Sequence, residues 1–239
     1  MKNVCCLRGV GMVYKTNSGV YPVLADLDME IKTDVVTVIL GKSGCGKTTL
    51  LRLLAGLETP TSGSVSYYDE KGQVHEPKLA LVFQEPRLMP WLDVRHNIVF
   101  HQDKPDWALA DQLIALMGLK GFEQAYPTEL SGGMASRVAI ARALAYKPQL
   151  MLMDEPFAAL DYFTRLALEE EMIALKQHSN VGIIFVTHDV DEALLIGHEL
   201  VLLKAGQAPI KRQIAADYPR DLASTELVAL KADILRILR

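Results

Sequence analysis

The sequence predicts an α/β fold interrupted by a helical insertion, and three observations carry that reading. Short uncharged runs rich in aliphatic and β-branched residues recur at Val35–Leu40, Leu79–Phe83, Leu150–Met153 and Gly182–Thr187. Runs of that length and character read as strands buried on both faces of a parallel sheet. Segments rich in helix formers alternate with them, beginning with Thr49–Ala55. Between the second and third runs, residues 85–145 carry prolines at 86, 90, 105 and 127 and then mostly helical periodicity.

The elements follow in order. Val4–Leu7, Val10–Tyr14 and Leu27–Ile31 are strand-like, with Thr16-Asn17-Ser18-Gly19 a turn after the second. Val35–Leu40 is the first core strand. Thr59–Gly63 breaks the helix that follows, Ser64–Tyr68 is a short strand, and Lys71-Gly72 turns the chain toward Leu79–Phe83. Trp107–Met117 places apolar residues at 109, 113, 116 and 117, a usable helical face. Gly133–Ala145 is a helix rich in alanine. Leu168, Met172 and Leu175 mark one face of a helix between the last two core strands, and Leu200–Lys204 is a final strand before Gly206. Leu227, Leu230, Ile234 and Leu238 repeat at helical spacing over Ser224–Arg239, which reads as a docked terminal helix. No internal repeat or low-complexity tract is visible.

Gly41-Lys42-Ser43-Gly44-Cys45-Gly46-Lys47-Thr48 fits the pattern G-x-x-x-x-G-K-[ST] at every position. It sits where a buried strand turns into a helix, the context that gives the pattern meaning. Glycines let the backbone bring N–H groups close to phosphate oxygens, and the helix N-terminus adds its positive end. Lys47 would reach the β- and γ-phosphates of a nucleotide, and the Thr48 hydroxyl would bind magnesium. Cys45, near a helix start, is expected to have a lowered thiol pKa, with alkylation inactivating the protein and ATP protecting it.

Leu150-Met151-Leu152-Met153-Asp154-Glu155 is an apolar strand ending in two carboxylates. Asp154 can hold magnesium directly or through water, and Glu155 is the natural general base for the attacking water. Leu130-Ser131-Gly132-Gly133-Met134 opens another helix on a glycine turn, a second anion site of the same physical kind.

With these three elements in this order, the chain resembles an ABC-type ATPase over roughly residues 4 to 205. The resemblance implies a P-loop NTPase core of ABC ATPase type with an antiparallel β subdomain and an inserted α-helical subdomain. It divides the chain into an ATP-binding core at 1–84 and 146–205, a helical part at 85–145 and a C-terminal helical segment at 206–239. ATP and Mg2+ are the implied ligands. Gly41 to Thr49 would cradle the nucleotide, and Tyr14 (Tyr21 being the weaker candidate) would stack on adenine. Gln84 would contact magnesium and the attacking water, and Thr48, Gln84 and Asp154 would hold the metal. His188 would contact the γ-phosphate. Ser131, Gly132 and Gly133 would act on ATP held by the other subunit, and Ala158-Ala159-Leu160-Asp161 matches the segment that follows the catalytic strand, with Asp161 counted among the nucleotide-binding residues. Catalysis then falls to Glu155, His188, Gln84 and Lys47.

Four departures stand out. Met134 occupies the place of a signature glutamine, alanine stands where a serine is usual before Leu160-Asp161, Ala135-Ser136 replaces a more polar pair, and Thr33-Asp34 replaces Gly-Glu. Methionine at the signature, with Phe83-Gln84-Glu85-Pro86-Arg87-Leu88-Met89-Pro90-Trp91-Leu92, is similar to importer ATPases of the nitrate, sulfonate and taurine subgroup. That resemblance implies an ATP-hydrolysing subunit of an importer for a sulfonate, nitrate, taurine or thiamine-precursor solute. It would work as a homodimer or paired cassette at the cytoplasmic face of the membrane, with permease subunits docking near Glu85–Trp91 and, indirectly, a solute-binding protein.

Bulk properties agree. The chain has 239 residues, half of them hydrophobic and 23% charged, enough for one large domain with a modest insertion. A net charge of −4 and a pI near 5.9 argue against a nucleic-acid partner. No apolar run is long enough to span a bilayer, and the N-terminal stretch through Arg8 is too short in its apolar part for a signal peptide. Three cysteines, one inside the glycine loop, suit a reducing compartment. Two other readings compete. A soluble ABC ATPase would usually pair two cassettes or insert a long coiled coil. A P-loop kinase for a small acceptor leaves Leu130–Gly133 without a purpose.

Overall fold

A computed structural model describes residues 3–16, 19–158, 160–179, 181–215 and 217–239. Asn17 and Ser18 of the expected turn, and Ala159 of the Ala158–Asp161 segment, lie outside the described residues. The chain divides into two compact units, Met1–Pro77 with Gly182–Arg239, and Lys78–Val181.

In the first unit, β1 (Val4–Thr16), β2 (Gly19–Lys32) and β4 (Ser62–Tyr68) form an antiparallel sheet in the order β2-β1-β4. Leu27, Met29 and Ile31 are buried while Asp28 and Glu30 are exposed, the period-two alternation of a sheet with one covered face. β1 joins what the sequence reads as two strands. Gly9, at φ +57°, and register shifts between Leu7 and Val13 absorb the break as bulges, so the pairing continues.

The same unit holds a parallel set. β3 (Val36–Leu40) lies between β7 (Gly182–Thr187) and β8 (Glu199–Leu202), parallel to both, and every residue of the three strands is buried. β9 (Ile210–Gln213) adds an antiparallel edge to β8. Leu40 pairs with Thr187, so Gly41 and His188 leave β3 and β7 at one end of the sheet. α1 (Lys47–Leu54) follows the glycine loop, α6 (Val190–Ile196) follows His188, and α7 (Thr225–Leu238) packs on α6 with Leu227, Ile234 and Leu238 buried.

In the second unit, β5 (Leu79–Val82) and β6 (Leu150–Asp154) are parallel, with Val82 beside Met153. The insertion expected over 85–145 lies within this unit as α2 (Val94–Val99), α3 (Trp107–Leu116) and α4 (Gly132–Ala145). Small buried residues at Ala139, Ala141 and Ala143 let α2 and α3 approach α4 closely. On α3 the buried stripe is Ala110, Leu113 and Ile114, with Met117 buried just after the helix. Leu109 is half-buried and Leu116 exposed, a rotation from the expected face. α5 (Tyr162–His178) buries Leu168 and Met172, and Leu175 is half-buried. Among the described residues no helix is long and apolar enough to cross a membrane.

Candidate nucleotide-binding site

The glycine loop curls directly off β3. Gly41 is buried, and a Cβ there would run into the Leu203 carbonyl and stand 2.7 Å from Cys45 Sγ. Gly44 and Gly46 take φ values of +79° and +101°, backbone that side chains rarely adopt. Lys47 opens α1 and is 5% exposed. Its Nζ donates to the carbonyls of Gly41 at 2.9 Å and Lys42 at 3.2 Å. An ammonium turned into the curl of its own loop needs such acceptors, because a buried charge without partners is costly. The helix start adds to the positive field: Gly46 offers no side-chain cap, and no acidic residue lies in the first turn. The residues present therefore fit a phosphate group. A cavity of about 300 Å³ opens beside Lys42, Ser43 and Gly44 and reaches Leu203 and Leu238.

Cys45 corrects an expectation. Its thiol is 5% exposed, and burial pushes its pKa up, against the downward pull of Lys47 and nearby backbone N–H groups. The helix start is present, but desolvation of the thiolate outweighs it.

Tyr14 is half-buried, and its hydroxyl donates to the Glu58 carboxylate, which also accepts from Arg52 of α1 at 3.2 Å. Burial raises the phenol pKa, and Thr49 of α1 is among its partners. Tyr14 is thus tied to the helix that begins at Lys47. Tyr21, opposite Tyr14 in the ladder, is 70% exposed. His188 is exposed, on the loop between β7 and α6. Its neighbours are held tightly: Thr187 Oγ1 donates to Glu192 at 2.6 Å, and the Asp189 carboxylate accepts from the N–H groups of Asp191 and Glu192.

In the second unit the register of β5 against β6 brings Gln84 and Asp154–Glu155 to the same end of the pair. Asp154 is buried at the tip of an apolar strand, Gln84 is exposed, and Glu155 sits at φ +43°. A non-glycine residue in that region costs roughly 1–3 kcal/mol, so surrounding structure imposes the turn that aims the carboxylate. Ser131 caps α4, its Oγ accepting from the Met134 N–H at 3.2 Å. A Cβ on Gly133 would stand 2.7 Å from Thr164 Cγ2, so the glycine turn lies against the first turn of α5. Asp161 caps that turn, accepting from the Thr164 N–H at 3.1 Å and from its hydroxyl at 2.6 Å. Those bonds hold its carboxyl below the usual range. Among the described residues no group of three or more His, Cys, Asp or Glu side chains could hold a metal ion. Within the second unit Asp154 offers a carboxylate and Gln84 a neutral oxygen, donors of the kind magnesium accepts beside water and phosphate ligands.

Two features escape the sequence reading. Asn97 is fully buried and holds the segment Met89–Asp93 through its side-chain amide. Thr187 and Glu192 form the buried pair beside His188; Asp189 and Glu192, three apart, are the visible trace of it, the spacing of a helix-start capping box.

A family profile described as ABC transporter matches residues 24–158. The chain is 44% identical over 218 residues to the aliphatic sulfonates import ATP-binding protein SsuB 2 of Pseudomonas syringae pv. tomato, covering 90% of this chain and 91% of that protein. It is 40% identical over 218 residues to the aliphatic sulfonates import ATP-binding protein SsuB of Bacillus subtilis, covering 89% and 86%. Among solved structures, a dimeric ATP-binding cassette in a post-hydrolysis state bound to ADP and Pi superposes with a TM-score of 0.77 at 27% identity, covering 89% of this chain and all of that one.

Proposed function

The chain belongs to the ABC transporter family, and from that premise we propose that it is the ATP-hydrolysing subunit of an importer for aliphatic sulfonates. The names of the bacterial relatives support the cargo. One observation carries the mechanism: a single chain bears two glycine turns that open helices, 41–46 before α1 and 131–133 before α4. In a single copy each turn serves one side of a phosphate. Two copies arranged head to tail place the second turn of one against a nucleotide held by the first turn of the other.

Each residue then has a task. Backbone N–H groups of Gly41–Thr49 and the Lys47 ammonium bind the β- and γ-phosphates, Lys47 exchanging its loop carbonyls for phosphate oxygens. Tyr14 stacks on adenine. Thr48, Gln84 and Asp154 hold Mg2+, which when bound neutralises charge on the phosphate oxygens. Glu155 accepts the proton of the attacking water, with Gln84 and His188 orienting water and γ-phosphate. Ser131, Gly132 and Gly133 of the second copy donate to the far side of that phosphate, and Asp161 fixes the turn beside them. Loss of one such donor costs roughly 3–4 kcal/mol of barrier in other enzymes. Residues 1–84 and 146–205 serve as the ATP-binding core and 85–145 as the helical part. Trp91, 71% exposed, belongs to the surface offered to a permease at the cytoplasmic face of the membrane, which in turn meets a solute-binding protein.

The test is the mass in solution of Glu155→Gln with and without ATP and magnesium. With the base removed, hydrolysis stalls and an ATP-dependent dimer accumulates; adding Ser131→Arg abolishes that dimer while ATP still binds. A Glu155→Gln protein that binds ATP and remains monomeric refutes the shared site.

A further inference from the structure

Two buried groups beside His188 have no task in that scheme. Thr187 is the last residue of β7 and 2% exposed; Glu192 lies in the first turn of α6 and is 5% exposed. The Thr187 hydroxyl donates to Glu192 Oε2 at 2.6 Å, and Thr187 Oγ1 itself accepts from the Asp189 N–H at 3.0 Å. The Asp189 carboxylate closes the circuit on the N–H groups of Asp191 at 2.8 Å and Glu192 at 3.4 Å. His188 is the residue enclosed, its two chain neighbours bonded to each other and to α6. Burying a carboxylate is costly, and Asp189 already caps the helix. What Glu192 adds is an acceptor that fixes the direction of the Thr187 hydroxyl, so that the hydroxyl oxygen faces the Asp189 N–H.

A second helix braces this turn from outside. Lys231 of α7 bonds both carboxylate oxygens of Asp191, at 2.6 and 2.8 Å. Near the end of α7 the Ile237 carbonyl accepts from Lys204 at 3.5 Å, and Arg239, the residue after the helix, accepts from Lys42 of the glycine loop at 3.4 Å. The helix and the residue that follows it therefore bond both to the turn after His188 and to the glycine loop.

We infer that Thr187 and Glu192 are positioning residues for ATP hydrolysis: their hydrogen-bonded pair, braced by Lys231 through Asp191, holds the His188 backbone in the one place from which its ring meets the γ-phosphate. The inference rests on the role proposed above for His188. Positioning acts on the rate of the chemical step more than on nucleotide affinity, because Lys47 and the glycine loop bind the phosphates independently, and small displacements of a reacting group cost up to about a hundredfold in rate.

The experiment compares steady-state kcat and KM for ATP, and the melting temperature, in H188A, T187V, T187S and K231A of the full chain. T187V removes the hydroxyl at constant shape and lowers kcat about tenfold with KM within about twofold. T187S keeps the hydroxyl and restores kcat. K231A, at an ion pair about 40% exposed, lowers kcat by about three- to fivefold without changing the melting temperature, the scale of a solvent-screened pair. If H188A retains wild-type kcat, the role of His188 falls and the inference with it. If H188A loses activity while T187V and K231A keep wild-type kcat, the positioning inference alone falls. A T187V protein whose kcat, KM and melting temperature worsen together marks the pair as structural and also overturns it. Should T187V fail to fold, the surface variant K231A decides between the same outcomes.

Discussion

Replacing Asn97 with alanine removes a buried side chain that bonds the backbone on both sides of Trp91. Asn97 is 0% exposed. Its Oδ1 accepts from the Met89 N–H at 2.8 Å. Its Nδ2 donates toward the carbonyls of Met89 at 3.1 Å, Leu92 at 2.8 Å and Asp93 at 3.1 Å. The Asp93 carbonyl already accepts from the Asn97 backbone N–H, and an amide has only two hydrogens to give. Met89 O likewise accepts from the Leu92 N–H at 3.1 Å, so the substitution deprives Met89 N–H and Leu92 O of the partner that Asn97 supplies. At about 1 kcal/mol of net loss for each, Asn97→Ala costs about 2 kcal/mol. For a chain of this size that is a fall in melting temperature of about 4–8 °C. Asn97→Asp keeps an acceptor but aims a carboxylate at carbonyls, so it is no milder. The assays are urea or thermal unfolding together with the rate of chymotryptic cleavage at Trp91, which rises as the segment loosens. Basal ATP hydrolysis stays within about twofold at temperatures where the protein is folded. An Asn97→Ala protein within about 0.5 kcal/mol of wild type refutes the assignment of Asn97 as the anchor.

Three further outcomes follow from the site itself. Gly41→Ala forces a methyl group against the Leu203 carbonyl and Cys45 Sγ; overpacking of this kind costs about 1–3 kcal/mol, and titration with a fluorescent nucleotide is expected to show affinity down by at least about tenfold. Cys45 reacts with iodoacetamide at neutral pH more slowly than a free thiol with or without ATP, because burial both hides it and raises its pKa; mass spectrometry showing rapid labelling of the folded protein refutes this. Asp161 has a lowered carboxyl pKa through Thr164, so its cap contributes stability above the ordinary aspartate range and loses it as pH falls through the folded-state pKa. The gap in urea midpoint between wild type and Asp161→Asn is therefore present at pH 7 and closes in acid; a gap that persists unchanged at low pH sinks the argument.

What the sequence reveals follows from how each element is stabilised. β3, β6 and β7 are legible because all their residues are buried, and burial on both faces leaves an uninterrupted apolar run. β9 is an edge strand whose Lys211 and Gln213 are exposed, so its pattern is that of a loop. α6 has only seven residues, too few to show a period. The two strands read within 4–14 become one because pairing with β2 and β4 carries the chain past Gly9, a contact that local sequence does not contain. Cys45 was misjudged for a related reason. Its place before a helix is local information, whereas its burial arises only in the folded chain, where Leu203, just after β8, lines the same cavity.

The proposed site stands out in the sequence, and the helix caps explain why. Aspartate caps α2, α3, α5 and α6, through Asp93, Asp106, Asp161 and Asp189. Each of those carboxylates satisfies first-turn N–H groups and neutralises the positive end of its helix. α1 and α4 are different: they begin on Gly46 and Ser131, caps without charge, each within a glycine turn. α7 also begins on a serine, Ser224, but Asp221-Leu222-Ala223 precedes it in place of glycine. A helix start that is to receive phosphate cannot carry its own carboxylate, since the two anions would compete for the same donors. The same logic accounts for methionine at 134. That residue enters the Ser131 cap through its backbone N–H, which every side chain but proline leaves in place. The positions with strict demands are 131, where a hydroxyl accepts that N–H, and 133, where Thr164 leaves no room for a Cβ. Those residues are the ones the sequence retains, while the departure falls at a position whose backbone does the work.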